Sequence, residues 1–190
     1  MGCNSVDTSV AEIPPSVSTD SLNAMSIADL DLLTKHYEVP YSEATTSYHL
    51  DTIPAHADWV FIGAREAGSS TVTLGAFGKR NEVLKKTAHN QPHEHNGVWW
   101  YRTDNYSFGF APSKEVSQYR ADSHNARDPY RLSWHLQGDG GWRAGSTCDL
   151  NAETPWRKLI FYGFEPDRFS ADEVGAVSYT HLTLPTTLSV

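Results

Sequence analysis

Cysteine is scarce: Cys3 and Cys148 stand near opposite ends of a 190-residue chain. That distribution excludes a disulfide framework and the clustered spacing of a zinc site, and it fits a reducing, cytoplasmic setting. No run of 18 apolar residues and no secretory hydrophobic region is present, which argues against a spanning helix and a cleaved signal peptide. A basic run of the kind that grips nucleic acid is missing too. Residues 1–54 contain no tryptophan and one basic residue, Lys35, against eight acidic ones. All six tryptophans fall between Trp59 and Trp156, and in residues 55–164 thirteen basic residues nearly balance eleven acidic ones. The net charge of -8 therefore belongs to the flanks of a near-neutral aromatic domain.

From Ser5 to Asp20 the chain is rich in Ser, Thr, Val and Pro without periodicity, so residues 1–25 read as a disordered acidic leader. Its start, MGCNSV, resembles a dual-acylation signal. Myristate on Gly2 and palmitate on Cys3 would together hold the protein at the cytoplasmic face of a membrane; one acyl chain alone binds marginally. A short helix with linker is expected over residues 26–47. Ser26 is the N-cap, Asp29 completes a capping box, Ile27, Leu30 and Leu33 repeat at helical spacing, and Pro40 ends it after about three turns.

From about residue 48 to 164 the period changes to that of strands. Trp59–Ile62, Thr71–Phe77, Asn81–Ala88, Val98–Arg102, Tyr106–Ala111, Tyr130–Gln137, Trp142–Cys148 and Trp156–Phe161 are short apolar or alternating runs. Thr71–Phe77 alternates as a half-buried strand does. Asp104-Asn105 and Gly138–Gly141 are hairpin turns, and Ser113–Pro129 is a long polar loop. Seven to nine such strands predict an all-β domain, an antiparallel β-sandwich or flattened barrel. Residues 165–176 form a tail. The segment VSYTHLTLPT, residues 177–186, resembles the translation of a sequencing-library adapter, which implies that residues 177–190 are not native and that His181 carries no functional weight.

Chemistry is less legible. His89, His93 and His95 have metal-like spacing, but Pro92 and Asn96-Gly97 around them favour a turn. Ser133, His135 and Asp139 suggest a nucleophile arrangement without the elbow that acyl transfer uses. No paired carboxylates, P-loop or dinucleotide fingerprint occurs, so no cofactor is expected. Tyr130-Arg131, Trp142-Arg143 and Trp156-Arg157 repeat one pairing. Strand alternation gives such pairs two readings: tryptophans in the core with arginines on the surface, or arginines and aromatics lining one concave face. The face opposite Leu132, Trp134 and Leu136 is the open one. The residues expected to bind are Arg131, His135 and Gln137 with Trp142, Arg143 and Trp99.

Trp99-Trp100-Tyr101, Ser107-Phe108-Gly109-Phe110, Ser133-Trp134 and Gly141-Trp142-Arg143-Ala144 follow one another in an order that resembles part of a SPRY/B30.2 domain. The likeness spans about 45 residues, and the later landmarks of that family are not matched by Asp149–Phe161. It implies a non-catalytic module that recognises a protein or peptide partner. A lectin-like glycan binder is the second reading, favoured by exposed tryptophans, and a metal-dependent enzyme using the histidine cluster is the third.

Overall fold

The computed structural model describes residues 16–18, 26–104, 106–119, 121–124, 127–137, 141–152 and 155–164. The acylation signal at Gly2 and Cys3, the tail from residue 165 and most of the leader lie outside them. Within the expected spacer, Ser16–Ser18 form a strand, β1.

The capping box is present: the Asp29 amide donates to Ser26 Oγ at 3.3 Å, and the Ser26 amide to Asp29 Oδ2 at 2.7 Å. The helix it starts is a single 3-10 turn, Ile27–Leu30. The three-turn helix read from the sequence gives way to β2, Thr34–Pro40, which joins the first sheet although it precedes residue 48. The reason is tertiary. Thr34, Tyr37 and Val39 suit a strand, and β2 finds a ladder along β11, Trp156–Gly163, from Pro40 opposite Arg157 to Thr34 opposite Tyr162. Ile27, Leu30 and Leu33 still act together, packing on Phe61, Val72, Phe77, Leu159 and Phe161 on the outer face of the first sheet.

That sheet comprises β3, Trp59–Glu66, and β4, Leu74–Lys79, in the order β1-β4-β3-β11-β2. Because the turn at 27–33 covers its outer face, β4 is buried on both sides and not half-buried as its alternation suggested. The short helices α1, Ser47–Asp51, and α2, Arg80–Val83, connect elements. The latter replaces the strand expected over 81–88. Val83 and Leu84 are both buried, neighbours that a half-buried strand would send to opposite faces.

The second sheet holds β5, His93–His95; β6, Val98–Arg102; β7, Ser107–Ala111; β8, Leu132–His135; β9, Gly141–Ala144; and β10, Thr147–Cys148. Its strands run in the order β10-β9-β8-β7-β6-β5. His93–His95, expected as a turn, is a strand because the turn sits just after it: Asn96 and Gly97 both take positive φ, 53° and 77°, as a tight Asn-Gly hairpin demands. Gly145, at φ 60°, divides the strand expected over 142–148.

The two antiparallel sheets meet face to face, as the all-β sandwich expectation requires. Val60, Ile62, Ala76 and Ile160 from one pack with Trp100, Phe108, Phe110, Leu132 and Trp134 from the other. At Gly109, opposite Ser133, a side chain would collide with the Leu132 carbonyl. Gly109→Ala is expected to destabilise by about 1–3 kcal/mol, read as a lower urea midpoint.

Candidate binding site

The face of the second sheet turned away from the core carries Tyr101, Ser133, His135 and Arg143, with Arg131 just before β8. The sequence reading opened this face to ligand. In the structure residues 112–119, 121–124 and 127–130 fold back over it, and the cover is polar on both sides. Asp122 is its centre: the carboxylate meets Arg131 Nη1 at 2.5 Å, the amide donates to Ser133 Oγ at 2.7 Å, and the carbonyl accepts from Arg143 Nη1 at 3.2 Å. Arg131 also reaches Asp128 Oδ2 at 3.0 Å and the Glu115 carbonyl at 2.8 Å. Arg143 adds the carbonyls of Asp128 and Gly145, and the Tyr101 hydroxyl donates to the Leu132 carbonyl at 2.7 Å.

Asp122, Arg131 and Arg143 are each no more than 2% exposed. Burial works against the Arg131 charge, yet Asp122 and Asp128 outweigh it and raise its pKa. Burial drives the Tyr101 phenol well above its ordinary value, helped by Asp122. Arg131 and Arg143 are thus struts that hold the loop, and both strand-alternation readings are corrected for them: they are neither surface residues nor a concave lining. The aromatic partners are reversed as well, since Tyr130 is exposed and Trp142 half-buried, while only Trp156 of the three pairs lies in the core. His135 is enclosed beside them.

The remaining expected residues do not converge. Gln137 is exposed and bridges to Thr46; Trp99 and Trp142, on β6 and β9, are half-buried. Trp100, Trp134 and Trp156 are core, and Trp59 is half-buried. Among the described residues the large exposed rings are tyrosines instead: Tyr48, Tyr119 and Tyr130.

One of these overhangs a cleft. Thr87, His89, Thr103, Asp104, Tyr106 and Tyr119 line an open hollow of about 480 Å³ at the β6–β7 turn. Tyr106 is its hub: ring centroids lie 5.7 Å from Tyr119, 6.3 Å from His89 and 6.3 Å from His135, which packs behind it. The walls are fixed. Asn90 and Gln118 clamp each other, each amide donating to the other's side-chain oxygen at 2.9 and 2.7 Å, which places Tyr119. The Thr87 amide donates to the Arg102 carbonyl at 2.8 Å, and Thr103 Oγ1 accepts from the Ser107 amide at 2.8 Å. At the rim Asp104 pairs with Lys86 at 2.6 Å, both well exposed. Aromatic faces, two threonine hydroxyls and one carboxylate can stack on a ligand and hydrogen-bond it. Sequence reasoning missed Tyr106, Tyr119, Thr87, Thr103 and Asp104. The available signal was Tyr119, a lone large ring in a polar stretch.

The histidines separate. His89 belongs to this cleft. His93 and His95 share one side of β5, but His95 Nε2 accepts the Lys79 amide at 2.9 Å, and His93 lies 3.5 Å from the Glu82 carboxylate. Burial and nearby Lys85 lower the pKa of His93 against the pull of Glu82. Among the described residues no three His, Cys, Asp or Glu side chains are grouped to hold a metal. Compared with protein-family models, with curated proteins and with solved structures, the chain finds no match.

Proposed function

We propose that the protein is a binding module, not an enzyme, and that it recognises a protein or peptide partner at the Tyr106–Tyr119 cleft. The observation that carries this reading is Tyr119 itself: 66% exposed, yet set in place by the Asn90–Gln118 clamp and by Tyr106 beneath it. A large ring held in position before a ligand arrives loses little entropy on binding, which is why tyrosine dominates binding hot spots. The Asp104–Lys86 pair at the rim adds charge of both signs, suited to peptide termini and side chains. The residues that resemble a SPRY/B30.2 domain fall on β6, β7, β8 and β9, and Tyr106 lies in the turn between the first two, which supports peptide recognition by a loop. Ser133 and His135 speak against acyl chemistry, for both are enclosed and Ser133 Oγ is held by the Asp122 amide. Acylation at Gly2 and Cys3 would place the cleft at the cytoplasmic face of a membrane.

Panning a random 12-residue peptide library on the full chain tests the reading. Selected peptides should bind Tyr119→Ala at least tenfold more weakly, a loss of about 1.4 kcal/mol or more, with the melting temperature unchanged because the ring is exposed. Peptides indifferent to Tyr119→Ala would move the site elsewhere. Glycan-array hits that depend on Tyr119, with no peptide selected, would shift the ligand class to carbohydrate.

A further inference from the structure

We propose that the outer edge of β4 is a second binding site, one that accepts an extended peptide as an added β-strand, and that the chain's own leader holds it closed. Two independent observations meet here. The first is the edge itself. From Leu74 to Gly78 it reads LGAFG, with no charge and no proline. Sheet edges of this kind recruit foreign strands, and folded proteins ordinarily guard them with lysine, proline, bulges or brevity. The other edges here are guarded: β2 carries Lys35, Glu38 and Pro40, β5 follows Pro92 and carries Glu94, and β10 is two residues long. β4 carries a single charge, the exposed Lys79 at its far end, and the uncharged stretch Leu74–Gly78 is buried.

The second observation is what lies on it. Ser16–Ser18 pairs antiparallel with β4 in a defined register, Ser16 opposite Ala76, Val17 opposite Gly75 and Ser18 opposite Leu74. Three residues are a short ladder, far below the length of a self-sustaining hairpin. The ladder is helped by a tether. Ser26 bridges to Thr71 and the Ile27 amide donates to the Ser70 carbonyl at 2.7 Å, so the leader is pinned close to the start of β4. Only seven residues separate Ser18 from Ser26. A tether that short supplies a local concentration on the order of millimolar, enough for a weak strand to occupy its edge. A ligand with more ladder positions would displace it, because backbone hydrogen bonds add along the strand. Specificity would be read at the position opposite Gly75, where the accepting strand has no side chain and the Phe61 ring fills the space that one would take.

The test keeps the full chain. Ser16→Pro, Val17→Pro and Ser18→Pro together remove every amide that β1 can donate, leaving the edge and its anchor at Ser26 intact. A fluorescein-labelled synthetic peptide spanning residues 11–22 should bind this triple variant at least tenfold more tightly than it binds the unaltered chain, where the tethered strand competes. Equal binding to the two overturns the proposal. Hydrogen exchange on the unaltered chain supplies a measurement independent of the variant. The amides of Leu74–Ala76 that point away from β3 should be protected relative to an exposed edge, and exchange at the rate of an open strand would refute occupancy.

Discussion

Replacing Asp122 by alanine is expected to lower the free energy of unfolding by about 3–5 kcal/mol, seen as a lower urea midpoint with little change in slope. The substitution leaves the backbone links to Ser133 and Arg143 in place and removes only the carboxylate. That carboxylate meets Arg131 at 2.5 Å and accepts the amides of Ser117 and His124, both at 3.0 Å. Without it a buried guanidinium keeps Asp128 as its single acidic partner, and the loop loses two internal bonds. Asp122→Asn, which retains an acceptor for the two amides, should fall between. In a double-mutant cycle with Arg131→Met, the two losses should sum to more than the loss of the double variant, because once either partner is gone the other has less to lose. A loss below 1 kcal/mol for Asp122→Ala would show that the cover over Ser133 and Arg143 is not held by this centre.

Lys158→Met is expected to stabilise the protein by about 2–4 kcal/mol at pH 7, and the sign should reverse near pH 10. Lys158 is wholly buried on the core side of β11. Its Nζ donates to the Glu43 carbonyl and to Thr45 Oγ1, and sits 5.9 Å from the centroids of the Tyr41 and Trp134 rings. Burial lowers its pKa from 10.5 to about 7, with Glu43 pulling the other way. Between those two values the unfolded chain keeps a proton that the folded chain gives up, so stability rises with pH at up to about 1.4 kcal/mol per unit. Below pH 7 both states are protonated and the folded one carries the full penalty; above 10.5 the penalty is gone. Methionine removes the penalty at every pH but deprives Glu43 and Thr45 of their donor, hence the reversal. Urea unfolding of both proteins at pH 7, 8, 9 and 10 measures it. Parallel profiles would mean that the lysine keeps an ordinary pKa in the fold.

What the sequence made legible follows from local physics. Leu132, Trp134 and Leu136 alternate, and they are core. Ser26 and Asp29 form their capping box. What it hid depends on partners distant in the chain. Nothing local says that β2 will find β11 more than 110 residues later, so Leu30 and Leu33 read as a helix. Likewise Ser133 and Arg143 look solvent-facing until Asp122 is known to close over them, since a polar loop covering a polar face has the composition of an exposed one. The cleft was hidden for the same reason. Tyr106 and Tyr119 become neighbours only through the clamp of Gln118 on Asn90, 28 residues apart. His135, expected on an open face, is enclosed one ring behind the opening.

The position of β11 has a consequence for synthesis. This strand is the last one described, yet it lies between β3 and β2 and supplies both sides of its sheet: Ile160 inward, Leu159 and Phe161 outward. A growing chain on the ribosome therefore carries β3 with one open edge, and β2 with no neighbour at all, until residues 156–163 have left the exit tunnel. The first sheet closes only once β11 has emerged, and until then the nascent chain presents Phe61, Ile62 and Tyr37 to whatever chaperone waits there.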